Sequence, residues 1–204
     1  MINNLTIKLA PLVGLLSMAG IADAQDITTS EREQALHYLT ETRAEVAGAV
    51  KGLTDAQWNF KPAPDRWSIR EVLEHIEVVE DLLNTGIRAR LEKGAAPAAD
   101  RDARQVDAVV LSKVPDRSIK AQAPPQIAPT GRWSGPAALE RFLASRQQTI
   151  NWLKSDNDLR GHMADHPILG PLDSYEWILA GAAHSERHTK QILEVKADPG
   201  FPAQ

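Results

Sequence analysis

Two histidines four residues apart are the first feature of this sequence that could carry chemistry. His184 and His188 are the ends of the segment His-Ser-Glu-Arg-His. Residues at this spacing share one face of an α-helix, so both imidazoles can reach one metal ion. Ser185 follows the first histidine where the zincin motif needs glutamate, and Glu186 falls on the opposite face. The pair is therefore a candidate half-site, with ordinary packing as the alternative.

A third imidazole is expected from another helix, because two histidines are seldom a complete site for a transition metal. His75 is the best candidate. It lies two turns into an amphipathic segment, at the margin of the apolar stripe, and facing helices of a bundle can project ligands toward one centre. Three imidazoles would leave coordination positions for water or substrate. The alternative is a core histidine with one hydrogen bond.

The composition limits the other chemistry available to the chain. Its 204 residues include six His and no Cys, which excludes thiolate nucleophiles, disulfides and Cys-ligated metals. A net charge of −4 gives no reason to expect a nucleic-acid partner. His37 and His162 are interpreted as surface or packing residues. His166 lies in the connection before the last helix and is a candidate catalytic residue, as a weak auxiliary group at the pocket mouth.

Three further residues could act next to such a site. Gln191 and Trp177 lie on the helical face of His184. Gln191 is interpreted as a hydrogen-bond donor behind a ligand or as a surface amide, and Trp177 as a pocket wall or a packing residue. Arg146 lies on the apolar stripe of another helix, where an unpaired guanidinium is costly. It is expected to pair with a carboxylate inside the bundle, and the alternative is binding of an anionic substrate.

Apolar periodicity predicts four long helices that position these residues. The first is expected to begin at Ser30, with Glu33 closing a capping box, and to run to about Leu53. The second begins at Ser68, again with glutamate three residues later, and ends near Gly94. These boundaries place His75 well inside a regular helix.

The third and fourth helices follow a long connection. Ser134 and Pro136 mark the start of the third, and the fourth opens near Asp173 or Ser174 and stops before Pro199. The connection, residues 94–135, is rich in Pro and Ala and is expected to contain one short helix at about 100–112. No segment shows the period-two alternation of a β-hairpin. The prediction is an all-α fold: a four-helix bundle with a long crossover between helices two and three.

The first 24 residues read as a targeting segment. An uncharged apolar run, residues 9–21, precedes Ala22-Asp-Ala24, the pattern of a signal peptide cleaved before Gln25. The run is shorter than the roughly 20 residues of a membrane-spanning helix, so no stable membrane insertion is expected. The folded domain is therefore expected to be 25–204, exported to a bacterial periplasm.

Two stretches of the chain resemble a known family. They are residues 67–76, WSIREVLEHI, and residues 166–192, which contain both His184 and His188. Together they make the chain similar to the DinB-like (DinB/YfiT-like) metalloprotein superfamily over about residues 30–196. The resemblance implies a four-helix bundle that binds a divalent metal, usually zinc or nickel, through residues matching His75, His184 and His188.

The resemblance implies several activities. Some relatives are thiol S-transferases or isomerases, and others are labelled hydrolases. The first hypothesis is a metal-dependent hydrolase or group-transfer enzyme that acts on a small molecule. The second is a metal- or ligand-binding bundle without turnover, and the third is a thiol-dependent S-transferase, which export away from cytosolic thiols disfavours. Pairing of two copies through a helix face stays open, although no extra apolar stripe marks such a face.

Overall fold

The computed structural model describes residues 26–120 and 122–203, so the predicted signal peptide at 1–24 lies outside the described residues. In these ranges the chain forms seven α-helices, one π-helical turn and a two-stranded sheet. The elements in chain order are α1 (Thr29–Ala49), α2 (Asp55–Asn59), α3 (Ile69–Leu82), the π turn (Leu83–Ile87), α4 (Arg88–Leu91), α5 (Ala103–Lys113), α6 (Gly135–Ser155), β1 (Met163–His166), β2 (Gly170–Asp173) and α7 (Ser174–Lys196).

Four long helical segments form a bundle, which confirms the predicted fold class. α3, the π turn and α4 form one uninterrupted helical segment, and α1, α6 and α7 are the other three. α3 packs against α6 and α7, and α1 packs against the same two helices. The crossover between α4 and α6 carries α5, which packs on α7 and begins at the cap Asp102. The predicted connection with one short helix is therefore present.

Side-chain caps set where the site-bearing helices begin. Ser68 accepts a hydrogen bond from the backbone N–H of Glu71, whose side chain returns to the backbone of Ser68. Asp173 and Glu176 form the same reciprocal arrangement at the start of α7. Each capping box satisfies two backbone donors that a helix start leaves unpaired. These two starts fix the axial positions of the histidines on α3 and α7.

The predicted limits of the first helix were wrong at both ends. α1 is capped by Thr28 with Glu31, two residues before the expected pair of Ser30 and Glu33. The sequence contains two overlapping Ser/Thr-x-x-Glu motifs, and the motif itself does not choose between them. The helix also ends at Ala49 instead of about residue 53. A short helix that periodicity missed, α2, follows it and has its own Thr-x-x-Gln box.

A β-hairpin precedes α7, so the expectation that no hairpin exists was wrong. β1 and β2 pair antiparallel, with Met163 opposite Asp173 and His166 opposite Gly170. Gly170 has φ of 78°, a conformation that favours glycine. Each strand has only four residues, which is too short for a visible alternation. The hairpin leads directly into the capping residue of α7.

The core lies between the four long segments. Its fully buried apolar side chains come from all four of them and from β2, and each contributes about 1.5–3 kcal/mol when removed from water. None of the helices in residues 26–120 and 122–203 has the length and apolar composition of a membrane-spanning segment. Representative core residues are Leu39, Leu73, Ile76, Phe142, Leu153, Leu172, Ile178 and Ile192.

Candidate metal centre

Three imidazoles meet between α3 and α7. One ring nitrogen of each of His75, His184 and His188 lies within 4.8 Å of the other two. The Nε2 atoms of His75 and His184 are 3.0 Å apart. His75 and His188 are buried, whereas His184 is half-buried. The structure therefore brings together the three histidines that the sequence singled out, and His184 is the least buried of them.

Helix geometry and one glycine explain the meeting. His184 and His188 are one turn apart on α7, and their ring centroids are 4.4 Å apart. His75 faces them from α3, with centroid distances of 4.9 and 4.7 Å. One turn before His184, a Cβ at Gly181 would lie only 2.9 Å from Leu83 Cδ2. Glycine thus permits the close approach of the two helical segments beside the site.

Hydrogen bonds on the outer side of the rings orient two of the histidines. The Nδ1–H of His75 donates to the carbonyl oxygen of Ile127, and that of His188 donates to Gln191 Oε1, both at 2.8 Å. A carbonyl oxygen only accepts, so each Nδ1 carries the proton and each Nε2 has its lone pair free. Gln191 thus contacts a candidate ligand as an acceptor, whereas the sequence analysis expected a donor.

Burial keeps the three rings neutral. It is the largest cause that lowers the pKa of His75, and the hydrogen bond to Ile127 opposes it. The pKa values of His184 and His188 are lowered well below the usual range, first by burial and then by the positive charge that neighbouring histidines would carry. Neutral imidazole is the form that binds metal ions. The cluster therefore presents metal-binding nitrogens at neutral pH.

The two tryptophans near the site differ in what they contact. Trp67 lies against His75 with ring centroids 5.0 Å apart, and its ring is near that of His188 at 6.4 Å. Trp177, the predicted wall residue, contacts His166 at 4.9 Å and donates through Nε1 to the carbonyl oxygen of Ala164. Trp67 therefore covers the ligand rings, while Trp177 packs against the hairpin.

His166 lies on β1 beside Trp177. Its Nδ1 accepts hydrogen bonds from the backbone N–H groups of Ile168 and Leu169, each at 3.2 Å. Burial lowers its pKa to about 4, so the ring is neutral with its proton on Nε2. In this state His166 offers an N–H donor to a bound molecule and no basic nitrogen. Its catalytic role stays a prediction.

Arg146 is enclosed in the bundle core. Its Nε and Nη2 donate to the two carboxylate oxygens of Glu80 at 2.8 Å. The remaining N–H groups donate to Thr42 Oγ1, to Ser185 Oγ and to backbone carbonyl oxygens. All five guanidinium N–H groups are thus used within the protein. This is the expected carboxylate pair, and no donor remains for the alternative role in substrate binding.

One further group contacts a candidate metal ligand and was not predicted from the sequence. Ile127 belongs to the crossover and contributes only its backbone carbonyl oxygen to His75. Every residue has such a carbonyl, so no residue type in the sequence could have marked it. The carbonyl becomes identifiable only when the fold places the crossover beside α3.

Comparisons with known proteins agree with this architecture. Residues 38–192 match the model of the DinB superfamily. Over 160 residues the chain is 29% identical to YuaE of Bacillus subtilis (strain 168), covering 76% of this chain and 93% of that protein. The fold is also shared with the solved structure of YfiT from Bacillus subtilis, at a TM-score of 0.59 and 15% sequence identity. The aligned region covers 87% of this chain and 93% of the YfiT chain. YfiT is described as a probable metal-dependent hydrolase with an unusual four-helix bundle topology. The family match spans most of the chain, and the protein belongs to the DinB superfamily.

Proposed function

We propose that His75, His184 and His188 hold one divalent metal ion and that the protein uses it in hydrolysis or group transfer on a small molecule. The observation that carries the proposal is the direction of the nitrogens. The hydrogen bonds at Nδ1 of two rings point away from the cluster and leave Nε2 lone pairs facing inward. A proton between His75 and His184 would satisfy only that pair, whereas one metal ion can bind all three ring nitrogens at once.

The donor set fits zinc or nickel. Two nitrogens that each bond one ion at about 2.0–2.1 Å are separated by roughly 3 Å, in agreement with the 3.0 Å between His75 and His184. Neutral imidazole suits both metals, and three protein ligands leave room for a substrate. The description of YfiT as a probable metal-dependent hydrolase supports the same choice of chemistry.

The chain's own residues would bind and orient the reactants. A divalent ion at such a site supplies Lewis-acid activation of water or of a substrate oxygen. The Ile127 carbonyl and Gln191 hold two ligand rings in place, and Trp67 shields them from solvent. His166 can donate from Nε2 to a substrate oxygen. His184 is the least buried of the three ligands, so a small molecule would approach the metal from its side.

A binding protein without turnover is the second candidate. The group of metal-competent side chains among the described residues contains three histidines and no carboxylate. A general base beside the ligands is therefore missing from that group, and this observation favours storage or transport of a metal or ligand. Export to the periplasm belongs to both candidates, and it favours hydrolysis over thiol-dependent transfer. The mature N-terminus of the exported protein, determined by sequencing, tests this part.

Elemental analysis of the protein, purified without a histidine tag, tests the metal site. The wild type should contain zinc or nickel at one ion per chain, and His75→Ala should lose it. His37→Ala is the matched control, because His37 is exposed and pairs only with Glu41 on its own helix. An unchanged metal content in His75→Ala would refute the site. Turnover is then tested with a panel of hydrolase substrates on metal-loaded and metal-free protein, where equal activities would refute metal-dependent catalysis.

A further inference from the structure

Glu74, the neighbour of His75 in sequence, is bound to the crossover by four hydrogen bonds. Its side chain is fully buried. Oε1 accepts from the backbone N–H and the hydroxyl of Thr130, at 2.8 and 3.0 Å, and from Arg132 Nε at 3.2 Å. Oε2 accepts from the backbone N–H of Gly131 at 2.8 Å. Hydrogen bonds to an ionised carboxylate are among the stronger ones in proteins, so Glu74 fixes this part of the crossover to α3.

The same part of the crossover orients His75. Only Ala128 and Pro129 separate Ile127, whose carbonyl accepts the Nδ1–H of His75, from Thr130. The proline ring restricts the backbone there, and the N–H of Ile127 is itself bound to Pro124 O at 3.1 Å. A displacement at Thr130 would therefore move the carbonyl on which His75 depends.

We propose that Glu74 is the positioning residue of the metal centre. By holding residues 130–132, the carboxylate keeps the Ile127 carbonyl on Nδ1 of His75 and thereby keeps Nε2 directed at the other two imidazoles. The inference rests on the proposed metal site, and it gives the crossover a function. Neighbouring groups that orient a ligand from outside the coordination shell commonly change metal affinity by 10- to 100-fold.

Glu77 provides a matched control one turn further along α3. Its carboxylate is also buried, and it pairs with Arg141 Nε at 3.1 Å. It has no hydrogen bond to residues 127–132. Glu77→Gln therefore removes the same charge from the same helix without releasing the crossover. A difference between Glu74→Gln and Glu77→Gln isolates the loop contact from the loss of a buried negative charge.

Cobalt(II) alone is the probe for the first measurement. Its affinity is determined by competition with a chelator, and its visible absorption spectrum reports the geometry of the ligands. Glu74→Gln should bind Co²⁺ about 10-fold more weakly than the wild type and with an altered spectrum, because an amide nitrogen cannot accept from Gly131. Glu77→Gln should stay within about twofold. Thr130→Val retains the Glu74 charge and removes the hydroxyl, which donates to Glu74 and accepts from Arg132 Nε. It should weaken binding about two- to threefold.

A second measurement on metal-free protein separates this inference from the metal site. Nitrogen-15 NMR detects the Nδ1–H of His75, whose exchange with water should be about 10-fold faster in Glu74→Gln and unchanged in Glu77→Gln. If Glu74→Gln does not fold, Thr130→Val decides by the same two readouts. The role of Glu74 would be overturned if the Glu74 and Thr130 variants matched the wild type in Co²⁺ affinity, absorption spectrum and Nδ1–H exchange. This holds even if His75→Ala abolishes binding. Failure of the wild type to bind Co²⁺ would overturn the metal site instead.

Discussion

Two buried polar clusters both contact α3 and α7, and they have opposite hydrogen-bond patterns. The histidine cluster joins His75 of α3 to His184 and His188 of α7. The ion-pair cluster, Arg146 with Glu80, Thr149 and Ser185, begins five residues later on α3 and contacts α7 at the residue after His184. Position in the bundle therefore does not distinguish them, and their chemistry must.

In the ion-pair cluster donors and acceptors match within the protein. Both carboxylate oxygens of Glu80 accept from Arg146, and the Thr149 hydroxyl donates to one of them at 2.5 Å. In the histidine cluster the Nδ1–H groups of His75 and His188 donate outward, and the Nε2 atoms of His75 and His184 lie 3.0 Å apart. The first arrangement is complete within the protein, whereas the second presents ring nitrogens that one metal ion could bind together. Both clusters are buried, so burial alone does not mark the candidate site. The distinguishing feature is a set of ring nitrogens that converge without matching donors from the protein.

The largest expected effect is the loss of one partner in the ion-pair cluster. Glu80→Leu leaves the Arg146 guanidinium buried without its carboxylate, and it should lower the free energy of unfolding by about 3–5 kcal/mol. Urea denaturation of metal-free protein measures it. The double variant Glu80→Leu/Arg146→Met should recover most of the loss, because no charge stays buried. A loss below about 1 kcal/mol for the single variant would contradict the structural role of the pair.

Glu176 has a single buried oxygen without a hydrogen bond, and a variant at this position shows whether such an atom by itself indicates a metal site. Its Oε1 has no hydrogen-bond partner. Burial is the largest cause that raises its pKa, to about 7, and the hydrogen bond from Arg101 opposes this. The folded protein therefore binds this proton more tightly than the unfolded chain. The contribution of protonated Glu176 to the free energy of unfolding is complete below the ordinary pKa of 4.5. It is lost as the pH rises through 7.

Glu176→Gln should remove this pH dependence while its side-chain oxygen still closes the capping box with Asp173. Relative to the wild type, the variant should gain about 3 kcal/mol in unfolding free energy between pH 4.5 and 8, measured in metal-free protein with urea. Parallel stability curves of the two proteins would contradict the raised pKa. Metal content should not change, since a single unmatched oxygen is costly but does not converge with other acceptors.

Local patterns made part of this structure predictable. The capping boxes at Ser68 and Asp173 are read from residues three apart, and the pairing of His184 with His188 follows from one helical turn. Arg146 was predictable by the cost of its burial, although its partner was not. His75 needed the amphipathic pattern of α3 together with the family resemblance. Apart from the resemblance, these signals lie within a few residues of the group that they describe.

The parts of the fold and of the candidate site that the sequence did not predict depend on contacts between residues far apart in the chain. The crossover reaches α3 where the Ile127 carbonyl accepts from His75, 52 positions away, and where Thr130 donates to Glu74, 56 positions away. A backbone carbonyl has no residue signature. The hairpin strands pair with each other and are too short for a visible periodicity. The π turn interrupts a segment whose apolar pattern continues without a break. Each is decided by packing that forms only in the complete bundle.

Metal binding should stabilise the protein through the histidine cluster alone. With free Zn²⁺ or Ni²⁺ at 100 times its dissociation constant, the free energy of unfolding should rise by about 2.7 kcal/mol. His184→Ala should abolish this increment, whereas Glu80→Leu/Arg146→Met should keep it, because its changes lie in the cluster that needs no cation. Thermal melts with and without chelator measure the increment. An equal increment in His184→Ala and the wild type would show that the ion binds elsewhere.

The smallest expected effect concerns the outward hydrogen bond of one ligand. Gln191 accepts the Nδ1–H of His188 and lies 3.4 Å from Arg117 Nη1. Gln191→Ala should weaken Zn²⁺ binding about 10-fold, or about 1.4 kcal/mol, and leave the stability of metal-free protein nearly unchanged. Leu193→Ala, an exposed position on the same helix, is the control. Gln191→Glu should tighten binding, since a carboxylate acceptor makes the ring a stronger donor to metal. If Gln191→Ala binds Zn²⁺ as tightly as the wild type does, the outward hydrogen bond of His188 does not contribute to metal affinity. The histidine cluster then differs from the ion-pair cluster only in its inward-facing Nε2 lone pairs.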